Sequence, residues 1–128
     1  MKLTKHFNLS EFESKDGARM PLNVKQNIQK LAENLEYLRT FLDYPILINS
    51  AYRSPEHNKA IGGVRNSQHI SGLAADVRTT VYTPKQLYKV IEELIITGHM
   101  DEGGLGLYDT FVHYDIRGTR ARWDKSTK

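Results

Sequence analysis

The sequence predicts an α+β domain in which helices pack on one side of a small antiparallel sheet. Two long segments carry apolar residues at helical spacing, and three shorter segments, 45–54, 73–79 and 111–117, have the composition or alternation of strands. The 128 residues, 39% hydrophobic and 26% charged, suit one compact domain with its own core. We therefore expect a single domain over residues 1–128, with a lead-in segment at 1–20 and a basic tail at 118–128.

The first long helix follows a lead-in of mixed aromatic and polar residues, which offers a short helix or turn beginning at Ser10. Pro45 is expected to end the long helix. Its apolar residues recur every three or four positions, the spacing of one helix face: Val24, Ile28, Leu31, Leu35, Leu38 and Leu42.

A strand at 45–54 and a second strand at 73–79 flank a short helix and a loop. Ser54 followed by Pro55 is a helix start, with serine as the cap and proline at the first helical position. This helix runs through Ala60 and is stopped by the glycine pair 62–63. The segment Thr83–Pro84–Lys85–Gln86 is a capping box for a second long helix, which Gly98 closes.

The last strand, 111–117, alternates in polarity. Val112, Tyr114 and Ile116 fall on one face, which can lie against the helices. His113 and Asp115 fall on the opposite face, which is expected to be exposed or to line a cleft.

The composition excludes several kinds of site. There is no cysteine, so disulfides, thiolate zinc sites and a cysteine nucleophile are ruled out, whereas five histidines leave nitrogen and oxygen metal ligands available. No apolar run is long enough to span a bilayer, and the amino terminus lacks the apolar region of a secretion signal. The net charge of +3 is spread along the chain, without the clustered basic and aromatic residues of a nucleic-acid site. We expect a monomer without a membrane or nucleic-acid partner.

The residues His69, Asp76 and His113 are candidates for a metal site. Two imidazoles and one carboxylate make the ligand set of a catalytic zinc, with a fourth position open to water. Asp115, two residues beyond His113, is the first candidate for the general base, and Asp109 is the second. By itself this pattern is weak, because the helical H-E-x-x-H motif is absent and a histidine seven residues before an aspartate is common by chance.

The order of the motifs adds specificity. The segments "YRS", "SQHISGLAADV" and "FVHYDIRG…RARW" resemble the M15 zinc peptidases, which include D-alanyl-D-alanine carboxypeptidases and phage peptidoglycan endopeptidases. The frame S-x-H-x-x-G-x-A-x-D is met at all its fixed positions, and F-V-H-x-D-x-R follows it. The frame residues are Ser67, His69, Gly72, Ala74 and Asp76.

The resemblance implies a fold like that of the hedgehog and D-Ala-D-Ala peptidase domains, with Zn²⁺ bound by His69, Asp76 and His113. It also implies that Arg53 faces the site and binds a substrate carboxylate or carbonyl, as a catalytic and substrate-binding residue. Ser67 is expected to contact substrate or to order its loop. The chain departs from several relatives where they carry an acidic residue, at Thr110, which leaves the choice between Asp115 and Asp109 open. The alternative role of Asp115 is to orient a metal ligand without contacting the water.

The implied function is hydrolysis of an amide bond in peptidoglycan stem peptides, as a D,D-carboxypeptidase or an endopeptidase. Without a secretion signal, the protein is expected to be made in the cytoplasm and to reach the cell wall after release, during phage lysis or within a virion. The alternative is a non-catalytic, zinc-containing module of the same fold that binds the cell wall.

Overall fold

The computed structural model describes residues 1–127, which form a mixed α+β fold with one five-stranded sheet. A 3₁₀ turn at Leu9–Phe12 precedes the helices, which are α1 (Leu22–Leu42), α2 (Pro55–Ala60) and α3 (Pro84–Ile96). The strands are β1 (Leu47–Ser50), β2 (Ala74–Arg78), β3 (Gly104–Leu107), β4 (Val112–Asp115) and β5 (Ala121–Asp124). The predicted fold class is confirmed.

Both long helices form for the reasons that the sequence gives. The whole apolar stripe of α1 is buried, and α3 starts at the capping box, where the Gln86 backbone N–H donates to the Thr83 hydroxyl over 3.2 Å. The helix α1 ends before Pro45, because Asp43 takes a left-handed conformation (φ 56°) and its N–H donates to the Arg39 carbonyl. The last residue of α1, Leu42, therefore lies three residues before Pro45, where the sequence predicted the end of the helix.

The sheet differs from the prediction at one edge. Its order is β1-β2-β4-β3-β5, and the first three pairings are antiparallel, as expected. The pairing of β3 with β5 is parallel, so the prediction of a purely antiparallel sheet is wrong. Neither strand was predicted, because β3 has the sequence GLGL, which reads as a tight turn, and β5 lies in the basic tail.

The predicted basic tail, 118–128, is folded for much of its length. Strand β5 is anchored by Arg122, whose Nε lies 2.7 Å from Glu92 Oε2 of α3 and whose Nη2 lies 2.8 Å from Glu102 Oε2, in the segment between α3 and β3. The tail therefore contributes an edge strand to the sheet. Lys128 lies outside the described residues.

The two faces of the sheet differ in what they carry. One face packs against α1 and α3 and supplies apolar side chains to the core: Ala75, Val77, Leu105, Leu107, Val112 and Tyr114. The lead-in belongs to the same core through Phe7 and Phe12, which are at most 1% exposed. The opposite face carries Asp76, His113 and Trp123, which line a cavity. Among the helices of residues 1–127, none has the length and apolar character needed to cross a membrane.

Candidate metal centre

Strand register brings two of the three predicted ligands together. Asp76 lies in β2 directly opposite His113 in β4, and both side chains project from the face that the long helices do not cover. Side chains opposite each other in an antiparallel pair lie about 5 Å apart at Cβ. The register of two short strands therefore determines the distance between this carboxylate and this imidazole.

The third predicted ligand, His69, comes from the loop that joins α2 to β2. The Ser67 hydroxyl accepts a hydrogen bond from the His69 backbone N–H over 3.1 Å, and the His69 carbonyl accepts one from Arg53 N–H at the same distance. Gly72 has a φ of +73°, and a Cβ there would collide with Val24 of α1. Glycine is required at this position because the turn needs a left-handed backbone and close approach to a helix.

The three side chains place one donor atom each around a common point. His69 Nε2 and His113 Nδ1 both lie 3.3 Å from Asp76 Oδ1. The three donor atoms lie within 4.8 Å of one another, and all three residues are buried. His69, Asp76 and His113 could therefore bind a metal ion together.

Hydrogen bonds outside this trio set the tautomers of both imidazoles. His69 Nδ1 lies 2.7 Å from the Ala51 carbonyl oxygen, and His113 Nε2 lies 2.7 Å from Asp115 Oδ2. Because these oxygens can only accept, each ring donates outwards and turns a lone pair towards Asp76. The two ring nitrogens and the Asp76 oxygen then direct their lone pairs towards a common point, where a cation could bind. Metal-bound histidines in proteins usually donate their other N–H to an outer acceptor in this way. The donor set fits a zinc ion.

The electrostatics of the trio favour positive charge. Burial opposes ionisation of Asp76, but its interactions with His113 and His69 outweigh burial and hold the pKa of this carboxyl below its usual range. Burial likewise lowers the pKa of His113, and its contacts with Asp115 and Asp76 outweigh that effect and raise it. The site thus keeps a carboxylate ionised in a buried position.

Neither predicted general base faces the cavity. Asp115 is fully buried and bonds the ring nitrogen of His113 that points away from Asp76, the Gly104 backbone N–H and the Arg117 guanidinium. This contact behind His113 fits a residue that orients the ring, and the assignment of Asp115 as the base stays a prediction. Asp109 is exposed and accepts hydrogen bonds from Thr127 beside a separate hollow, so the structure does not bring it to the trio either.

The structure places both predicted substrate-binding residues in the cavity lining. Arg53 donates to Asp76 Oδ2 over 3.3 Å, to Asn58 Oδ1 over 3.2 Å and to Ser50 Oγ over 3.2 Å. Ser67 is 8% exposed, and its hydroxyl holds the backbone of His69. Both side chains therefore support the trio directly.

The cavity has a volume of about 510 Å³, which is within the range of small-molecule and peptide sites. One wall is formed by Tyr108, Phe111, Arg117, Trp123 and Lys125. The sequence left open whether Tyr108 and Trp123 line a cleft or simply pack, and it missed the other three residues. A signal was present in the motif F-V-H-x-D-x-R and in the alternation of "RARWDK", where residues two apart share a face.

Comparison with known proteins agrees with this geometry. The family model described as Peptidase M15 matches residues 5–115, which include the 3₁₀ turn, all three helices and the whole trio. No curated protein sequence gives a significant match. The match covers most of the chain, and peptidases of this family depend on a metal, which the buried trio within the matched residues could bind. The chain belongs to the M15 peptidase family.

Proposed function

We propose that this protein is a zinc-dependent peptidase that hydrolyses an amide bond in peptidoglycan stem peptides, as a D,D-carboxypeptidase or an endopeptidase. The observation that carries the proposal is the buried trio of His69, Asp76 and His113 at a cavity large enough for a peptide segment. Two imidazoles and one carboxylate, without a thiolate, are the ligand set of catalytic zinc sites. Membership of a peptidase family supplies the reaction class.

The chain's own residues would hold and orient the reacting groups. His69 Nε2, Asp76 Oδ1 and His113 Nδ1 would bind the metal, while the Ala51 carbonyl and Asp115 keep the two rings in place. Arg53 holds the second oxygen of Asp76, so that the carboxylate presents one oxygen to the trio. A zinc ion bound there would polarise a substrate carbonyl and lower the pKa of water to about 7.

The substrate and the place of action rest on the motif resemblance. The S-x-H-x-x-G-x-A-x-D frame, from Ser67 to Asp76, supports a cell-wall peptide as the substrate. We propose that the protein acts as a monomer on bacterial peptidoglycan, after release from the cytoplasm during lysis or as part of a virion. Nucleic acid and membrane are not among the proposed partners.

A second function is favoured by one observation. Among the described residues that line the cavity, Asp76 is the only carboxylate, and it belongs to the metal-binding trio. A peptidase of this type uses a carboxylate or an imidazole to take the proton from water. A metal-containing module that binds cell-wall peptide without cutting it would need no such group.

One experiment separates the two functions. Zinc-loaded protein is incubated with purified cell wall, and new amino and carboxyl termini are identified by mass spectrometry, with His113→Ala as the control. The peptidase predicts one type of new terminus that the control lacks, and released D-alanine distinguishes a carboxypeptidase from an endopeptidase. Sedimentation with the wall and no new terminus would refute the peptidase and support the binding module.

A further inference from the structure

The cavity wall beside β5 combines aromatic rings with two cationic side chains. Trp123 of β5 lies against the His113 ring, with centroids 5.0 Å apart, and its Nε1–H donates to the Tyr108 hydroxyl over 3.0 Å. Gly106 of β3 makes room for this ring, because a Cβ there would collide with it. The metal centre and this wall therefore share one continuous surface.

Lys125 lies on the cavity side of this wall. Its backbone N–H donates to the Leu107 carbonyl over 2.8 Å, so the β3–β5 ladder continues one residue beyond β5. Residues two apart in a strand share a face, which places Lys125 on the same side as Trp123. Its side chain is exposed, lines the cavity and has no hydrogen bond or ion pair with residues 1–127.

Arg117 offers the second cation, and only part of its guanidinium is used. Its Nε lies 2.9 Å from Asp115 Oδ1 and its Nη2 lies 2.8 Å from Asp115 Oδ2, a two-point contact that fixes the plane. The guanidinium carbon lies 5.6 Å from the centre of the Trp123 ring. Nη1 has no partner within the described chain, so one edge of a rigid, oriented fork remains available.

Arg53 contrasts with both of these cations. All three of its guanidinium nitrogens are already bonded, to Ser50, Asn58 and Asp76. Only the second N–H of Nη1 and of Nη2 is unused, and the guanidinium already holds an oxygen of Asp76, a trio ligand. Arg117, with both N–H groups of Nη1 unused, and Lys125, with no side-chain partner in residues 1–127, therefore offer an incoming anion more donors than Arg53 does.

We propose that Arg117 Nη1 and Lys125 Nζ, on either side of Trp123, form a subsite that binds a carboxylate of the substrate. The inference rests on the proposed function for its substrate class and adds a preference for peptides with a free carboxylate over their carboxamides. A preset guanidinium edge together with a mobile ammonium suits a carboxylate, since hydrogen bonds between charged groups are the stronger kind. A stem peptide offers two such groups, the glutamyl α-carboxylate and the carboxyl terminus.

The test uses three synthetic stem peptides and the zinc-loaded protein. One peptide carries both carboxylates, and each of the others has one carboxylate replaced by a carboxamide. The readout is KM where the peptides are cleaved and Kd from calorimetry where they are not. For the wild type, we expect one of the two amides to bind about 5- to 10-fold more weakly than the free acid.

Variants at Lys125 test the assignment. The discrimination ratio is the KM or Kd of the amide peptide divided by that of the free acid. It should fall to about 2-fold or less in Lys125→Met and recover in Lys125→Arg, which keeps the cation. Lys89→Met removes the same charge from the exposed side of α3, away from the cavity, and should keep the wild-type ratio.

Each outcome bears on the subsite and on the proposed function separately. Cleavage of all three peptides with equal KM, or a ratio that Lys125→Met leaves unchanged, overturns the subsite while the peptidase stands. Discriminated binding without cleavage supports the subsite and overturns the peptidase. Neither binding nor cleavage of any peptide overturns both.

Discussion

The two faces of the sheet are built from the same short strands, but one packs in the apolar core and the other lines a polar cavity. In β2 and β4, Ala75, Val77 and Tyr114 turn towards the helices, whereas Asp76 and His113, their immediate neighbours, turn towards the cavity. The helix side is held mainly by apolar contact, to which the Tyr114 hydroxyl adds a hydrogen bond to Asn34 Oδ1 of α1 over 3.2 Å. The cavity side is held by polar contacts, in which His69 and His113 each lie 3.3 Å from Asp76 Oδ1 and Arg53 donates to Asp76 Oδ2.

This difference teaches how the fold fixes the chemistry. A shift of one residue in register would exchange the two faces, burying Asp76 and His113 in the core. Apolar packing of the helix side therefore selects the register, and the register in turn places His113 opposite Asp76. The geometry of the trio is a consequence of packing on the other side of the sheet.

The substitution with the largest expected effect is His113→Ala, on the cavity side. Removing one of three donor atoms should lower zinc affinity by more than about 100-fold, because loss of an outer partner alone costs 10- to 100-fold. Metal analysis after dialysis should find about one zinc per chain in the wild type and almost none in the variant. His99→Ala, at an exposed histidine near the end of α3, should keep its zinc. Equal zinc in both variants would refute the trio.

The corresponding substitution on the helix side is Leu105→Ala. Leu105 is fully buried, and its neighbour in β3, Gly106, faces the cavity. Truncating a buried leucine should lower the free energy of unfolding by about 2–5 kcal/mol. Chemical denaturation measures this loss, and zinc analysis under native conditions should still find about one ion per chain. A loss of zinc comparable with that of His113→Ala would show that the two faces are not separable.

Asp115→Asn sharpens the comparison, since this residue bonds to the back of a trio ligand. If the carboxylate orients His113, the variant should bind zinc about 10- to 100-fold more weakly. If it were the general base, the variant would keep zinc and lose turnover. Competition with a chromogenic chelator measures the zinc affinity, and initial rates measure turnover.

Asp109→Asn is the matched control for that substitution. Asp109 is exposed and bonds Thr127, so this variant should keep both zinc affinity and turnover. A loss of turnover in Asp109→Asn alone would return the role of base to Asp109.

Sequence periodicity predicted the helix side well, because apolar stripes are local patterns. The stripe of α1 and the alternation of Val112 and Tyr114 are both buried as expected. The strands β3 and β5 were missed for two physical reasons. Gly104 and Gly106 give β3 no side chains on the cavity side, where Asp115 and Trp123 need the space, and the charges of β5 are neutralised only by residues distant in sequence.

The cavity side could be predicted only in part. Motif order brought His69, Asp76 and His113 together, and the structure places their donor atoms side by side. It could not show which nitrogen of His113 faces Asp76, because that depends on the bond from the other nitrogen to Asp115. The contact of Asp115 with that other nitrogen therefore had to come from the structure.

The smallest expected effect concerns the ion pair that attaches β5 to the helix side. The hydrogen bonds from Arg122 lower the pKa of Glu92 below its ordinary value of 4.5. A carboxyl whose pKa is lower in the folded than in the unfolded state stabilises the fold above about pH 4.5, and this contribution is lost as the pH falls through the folded pKa. Glu92→Gln should therefore cost about 1 kcal/mol at pH 7 and progressively less on acidification towards pH 3.

Urea denaturation at a series of pH values measures this difference. The matched control is Glu93→Gln, which makes the same charge change at an exposed neighbouring position of α3 that has no ion pair to β5. For Glu93→Gln the difference from the wild type should stay near zero across the series. If the difference in free energy of unfolding between Glu92→Gln and the wild type instead stayed constant below pH 4.5, the ion pair with α3 would contribute nothing that titrates. The stabilisation of β5 would in that case come from its ladder with β3 and from Trp123 on the cavity side.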